Sequence, residues 1–109
     1  ASAVQSALDA VTELDPLDYL EATEAAHALA AAEVVAAARD GDVSRLPKDA
    51  APRVKENAAK INSAKLTGQA RKAMTRVLKN SELKEEWEDS PDAEEWEDDV
   101  RELLERLKG

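Results

Sequence analysis

Cysteine and phenylalanine are both missing from this 109-residue chain, which also holds only three glycines, four prolines, one tyrosine and two tryptophans. Without cysteine there is no disulfide framework, no thiolate nucleophile and no zinc–thiolate site. Three scattered glycines leave no Gly-rich loop to cradle a phosphate, and the sequence calls for no cofactor. Long hydrophobic runs are missing too. The most apolar stretch, Ala28 to Ala38, is interrupted by Glu33 and falls short of the roughly 20 residues that cross a bilayer, so no membrane span is expected. The opening ASAVQSAL has neither the charged nor the continuous apolar region of a secretory signal, which makes a cytoplasmic location the expectation. The chain starts at Ala1 rather than Met, which suggests a processed or truncated product.

What is present favours helices. Of the 43% of residues that are apolar, 22 are alanine, leaving 25 larger apolar side chains to supply most of the burial. Ala, Leu, Glu, Lys and Arg dominate and β-branched residues are few, a composition with high helix propensity. The length suits one domain, 1–109, with a thin and closely packed core.

Six helices can be placed from periodicity and capping signals. Ser2 and Gln5 fit a capping box, and Val4, Ala7, Leu8, Val11 and Leu14 recur at helical spacing, predicting a first helix over about 3–14 until Asp15-Pro16 interrupts it. A second helix opens at Glu21 or Thr23 and stops at Arg39-Asp40-Gly41. Only His27 and Glu33 are polar between Ala25 and Ala38, so this helix is expected to be apolar all round and central, with alanines letting neighbours approach closely. Pro52 suits the first turn of a third helix over about 52–61. Thr67 reads as the N-cap of a fourth, with Ala70, Met74, Val77 and Leu78 on its buried stripe. Ser81 caps a short fifth helix carrying Leu83 and Trp87, and Ser90-Pro91-Asp92 starts a sixth whose buried face holds Trp96, Val100, Leu103, Leu104 and Leu107. The expected fold is an all-α irregular bundle of about six helices around the Ala-rich one.

The net charge of −9 is laid out in blocks: residues 1–43 hold nine acids and one base, 44–81 two acids and ten bases, and 82–109 thirteen acids and four bases. One expectation is that the basic third and fourth helices neutralise acidic neighbours across solvated faces, where each pair contributes about 0–1 kcal/mol. The other is an acidic surface left exposed to dock a basic protein, with electrostatics speeding the encounter. Nucleic-acid binding through Lys72, Arg76 and Lys79 has less support, because the basic block contains no aromatic residue for stacking and no helix-turn-helix or zinc signature accompanies it.

Chemistry-bearing patterns are sparse. Glu24 and the sole histidine, His27, reproduce one Glu-x-x-His half of a di-iron carboxylate site, but the second half is missing. The acids of residues 82–99 lack the EF-hand pattern. No catalytic set and no metal ligands are assigned. Glu33 is the one acid that stands out, being surrounded by apolar positions; it must be paired or titrate high. It reads either as a structural partner of a base from the Arg71–Lys79 segment or as a functional acid. Trp87 and Trp96 read as core anchors, or as part of a binding surface if exposed, alongside Glu85, Glu86, Glu88 and Asp89.

The run YLEATEAAHALAAAEVVAAARDG (19–41), RVLKNSELKEEWEDS (76–90) and Trp96 resemble an uncharacterised bacterial family, DUF4259. The matching steps are Leu-Glu-Ala at 20–22, Ala-Ala-Glu-Val-Val at 31–35, and Val77, Leu78, Ser81, Glu82, Leu83 and Trp87. Members usually begin with a Gly-Thr-Trp-type segment and a Phe-Asp-Asn-Asp-like acidic motif, and neither is found here. The resemblance implies a small bacterial protein and brings no activity with it. The functional expectation is an acidic protein–protein interaction module, immunity- or inhibitor-like, more readily than an enzyme. Its alternative is a small hydrolase or metal-dependent enzyme that uses Glu33 together with residues missing from this chain.

Overall fold

The computed structural model describes residues 2–15, 18–43, 46, 48–79 and 81–108. They form six helices and no strand: α1 (Ser2–Thr12), α2 (Ala22–Asp40), α3 (Ala50–Ile61), α4 (Ala64–Lys79), α5 (Glu82–Glu88) and α6 (Ala93–Leu107). The all-α bundle is as the sequence predicts, and α2 packs against each of the other five helices. Small side chains make this possible: Ala25, Ala28, Ala31, Ala32, Ala36, Ala37 and Ala38 are all buried, and their methyl groups let neighbouring backbones come close. Leu8, Leu20, Met74, Leu103, Leu107, Val35, Val77 and Val100 fill the spaces between helices, each contributing about 1.5–3 kcal/mol through burial.

Several helix ends differ from expectation. α1 stops at Thr12, and Leu14 packs against the core from the following turn, where its N–H donates to the Val11 carbonyl at 3.3 Å. The proposed Ser2 cap lies outside the described side chains; the Gln5 amide donates to Asp9 Oδ1 (2.8 Å) and to Gln69 Oε1 (2.6 Å), tying α1 to α4. α3 starts two residues before Pro52, which still lies in the first turn, where a missing N–H costs nothing. Thr67 is not the cap of α4. Ser63 takes that role, its Oγ accepting from the Leu66 N–H at 3.1 Å, while Thr67 is buried inside the helix and its hydroxyl has no hydrogen-bond partner among the described residues. Ser81 caps α5 as expected, accepting from the Lys84 N–H at 3.1 Å and donating to the Val77 carbonyl. Ser90 Oγ accepts from the Asp92 N–H, forming a tight turn before α6 proper begins at Ala93.

The expectation that α2 is surrounded on every side holds only for its second half. Ala26, His27 and Ala30 are exposed. Gly41 ends the helix in the left-handed conformation (φ 78°), its N–H donating to Ala37 O at 2.8 Å, a backbone state that glycine adopts without a Cβ penalty. Among the described residues, no helix is long and apolar enough to cross a membrane.

Candidate functional site: the cleft between α2 and α6

Leu29 and Glu33, one helical turn apart on α2, face Trp96, Asp99 and Val100 of α6 across a cleft of about 450 Å³. The spacings i, i+4 on one helix and i, i+3, i+4 on the other place each set on a single face. Two of the residues singled out from sequence, Glu33 and Trp96, therefore meet in one cavity. A third adjoins it, since the Trp87 ring stacks on Trp96 with centroids 6.1 Å apart and planes 10° from parallel. Trp96 is buried and Trp87 half-buried, so the pair anchors α5 to α6 as much as it lines a surface. Glu85, Glu86, Glu88 and Asp89 do not enter the cleft; all four stand exposed on or just beyond α5.

Glu33 is paired with a base of the closing helix. Its partner is Arg106 of α6, whose Nη1 lies 3.3 Å from Glu33 Oε2. Arg106 is only 13% exposed and serves several acceptors: Nε and Nη2 grip both oxygens of Asp40 at 2.8 and 3.0 Å, and Nη2 also reaches the Asp42 carbonyl at 3.0 Å. The two-pronged bond to Asp40 is the stronger one. It holds the Asp40 carboxyl below its usual range and raises Arg106 further above its own. The latch pins the last turn of α6 to the C-terminal end of α2.

A second groove, about 590 Å³, opens between α1 and α2 over Val4, Ala7, Ala10, Ala30 and Val34. Glu24 and His27 stand at its edge, His27 exposed. Among the described residues no three His, Asp or Glu side chains converge as metal ligands.

The loop before α2 is held by residues far away in sequence. Glu82 donates its N–H to the Leu20 carbonyl at 2.8 Å, and its carboxylate accepts from the Ala22 N–H at 2.8 Å, so α2 is capped across space by α5. Tyr19 donates to Glu85 Oε2 (2.7 Å) and Glu82 Oε2 (3.3 Å); the hydrogen bond to Glu85 chiefly makes its hydroxyl harder to ionise. Arg76 donates to the Asp15 and Asp18 carbonyls. Leu20 and Ala22 thus meet Ser81 and Glu82, the segments that carry the family resemblance.

Comparison with protein families matches residues 1–99 to the Domain of unknown function (DUF4259). The chain belongs to this family. No curated protein and no solved structure matches it. For this DUF4259 chain the resemblance residues divide into two jobs: Leu20, Ala22, Ser81 and Glu82 close the α2–α5 junction, while Glu33 reaches the α6 cleft. Sequence places Arg106 only as a base favourably near the C-terminal end of α6, and only the i, i+3 spacing from Trp96 hints at Asp99. No local signal names Glu33 and Asp40 as the acceptors of Arg106.

Proposed function

We propose that this chain is a protein-interaction module whose acidic α5–α6 surface docks a basic partner protein. The observation that carries this reading is where the ion pairs fall. Lys84, Arg101 and Lys108 pair with Glu88, Glu97, Asp98 and Glu105 of the same acidic block, at 2.9–3.9 Å. Arg53, Lys55, Lys60, Lys65, Arg71 and Lys72 make no ion pair among the described residues. Among the described residues, those six bases of α3 and α4 therefore make no direct ion pair with the acidic block. Thirteen acids face four bases within residues 82–109, so a field of one sign persists over α5 and α6. The enzyme alternative draws less support, because Glu33, its proposed acid, is engaged by Arg106.

Affinity capture from lysate of the source cells, with parallel washes at low and high salt, tests the proposal. A stoichiometric basic protein retained at low salt and released at high salt supports it. Retention that ignores salt, or recovery of nucleic acid lost on Lys72→Glu and Arg76→Glu, counts against it.

A further inference from the structure

We infer that the groove between α1 and α2 seats one amphipathic helix of the partner, with small apolar residues along its buried stripe and lysines or arginines toward one end. This rests on the interaction-module reading and adds an apolar contact surface to it. The sequence makes α2 apolar on every side from Ala25 to Ala38 apart from His27 and Glu33, and a helix of that kind is normally surrounded by others. Its first half is not. Ala26 and Ala30 are exposed, and the groove of about 590 Å³ beside them runs over Val4, Ala7 and Ala10 of α1 and Val34 of α2. Positions 4, 7 and 10 of α1, and 27, 30 and 34 of α2, recur at i+3 or i+4, so each set forms a stripe along its helix. Between two such stripes, lined largely by methyl groups, a third backbone can approach to the ordinary helix–helix distance of about 8–10 Å.

Charge selects the occupant. Gln69 of α4 meets Gln5 and Asp9, and Arg76 further along meets the Asp15 and Asp18 carbonyls, so α4 runs in the same direction as α1. Glu82, just past the end of α4, holds the start of α2, so α2 runs the opposite way. The Ala10 end of the groove therefore lies beside the Glu24 end. Glu24 lines the groove, Glu21 precedes it by one turn, and Glu13 follows Ala10 by one turn, still in helical register through its N–H to the Asp9 carbonyl. Glu13 and Glu21 are exposed, and none of the three makes an ion pair among the described residues. Tyr19 brings Glu82 and Glu85 of α5 to the same end. The other end, at Val4 and Val34, has no charged lining group. A partner helix thus fits in one sense, with its basic end over Glu13, Glu21 and Glu24. A second copy of this chain fits poorly, because it would set two segments 1–43, each with nine acids and one base, face to face.

The test titrates the full chain with a capped model helix that carries alanine and leucine at helical spacing on one face, glutamine on the other, and lysines confined to its last two turns. Two control peptides replace the lysines by glutamates or scatter the same residues so that no apolar stripe remains. Saturable NMR shifts concentrated on the amides of Ala7, Ala10, Ala30 and Val34, with binding at least about tenfold tighter than for either control, support the inference. Ala30→Arg should weaken the lysine peptide at least about tenfold by obstructing the helix approach, whereas Ala59→Arg, the same change at an exposed alanine of α3, should leave it unaltered. Glu21→Gln combined with Glu24→Gln should weaken it about fivefold. Unchanged amide positions away from the groove confirm that each variant is folded. Shifts confined to α5 and α6, equal binding of the scattered peptide, or binding unaffected by Ala30→Arg overturns the inference. So do groove shifts that appear on concentrating the chain alone, which assign the groove to a second copy, or tighter binding of octanoate at the same amides, which assigns it to a small amphiphile. Failure of the two readings is separable: a salt-sensitive basic partner that Ala30→Arg still captures leaves the module standing and removes the groove from it. Saturable groove binding of the lysine peptide with no captured basic protein does the reverse.

Discussion

Helix α2 is nearly uniform in sequence from Ala25 to Ala38, yet its halves occupy different surroundings. Val35 to Ala38 are buried on all sides, and the end of the helix is secured by the Gly41 turn and by Arg106 on Asp40 and Glu33. The first half exposes Ala26, His27 and Ala30 beside an open groove, and its start is held by Glu82 from α5. The difference teaches that alanine is permissive rather than instructive: its methyl group tolerates either a helix contact or water, so neighbours decide. It also shows two ways of securing a helix end, one by a partly buried ion pair and one by a borrowed cap.

The comparison breaks most readily at the buried half. Ala36→Leu forces a larger side chain into a position with no exposed surface and should cost about 3 kcal/mol, whereas Ala30→Leu on the open face should change stability by less than about 0.5 kcal/mol. Urea denaturation midpoints of the two variants measure the contrast directly. Comparable losses would mean that the groove over Ala30 is closed.

Next in size is the latch. Arg106→Ala leaves Glu33 and Asp40 without their guanidinium and should cost about 2–3 kcal/mol. The wild-type contribution of this latch also depends on pH in a defined direction. Asp40 is held below its unfolded value of about 3.9, so its stabilisation is complete above that value and is lost as pH falls through the lower folded value. Chemical denaturation between pH 7 and pH 2 should therefore show wild type converging on Arg106→Ala at the acid end; parallel curves would contradict the pairing.

The smallest effect lies at the other end of the helix. Glu82→Ala removes the acceptor of the Ala22 N–H and should cost about 1 kcal/mol, with faster amide hydrogen exchange confined to the first turn of α2. Exchange that rises at residues 35–40 instead would show that the two ends are coupled rather than independently secured.

Most of the helix map was legible because its signals are local: apolar spacing, Ser81 as a start residue, Gly41 as a stop. The misplaced boundaries share a cause. Thr67 offers the right chemistry for an N-cap, but Ser63 lies four residues earlier and the buried position of Thr67 suits its methyl group, so packing outweighed capping propensity. Leu14 kept its place in the core without being helical, because burial needs position and not a dihedral angle. At the candidate site, sequence singled out Glu33 from its apolar surroundings and the tryptophans from their size, but it did not name Arg106 as a partner of Glu33. A base in the middle of a positively charged helix and one near the end of an acidic helix look alike until the helices are packed.

The sequence by itself determined that this chain is helical, that the Ala-rich segment lies at its centre, and that charge is divided into acidic, basic and acidic blocks, because each of these follows from composition and spacing within a few turns. The tertiary structure decided which face of α2 stays open, which arginine meets Glu33, that Glu82 caps a helix 60 residues away, and that Trp96 and Asp99 share a cleft with Glu33. Those outcomes depend on how helices of similar apolar character are juxtaposed, and contacts between residues distant in sequence leave no periodic trace in either partner.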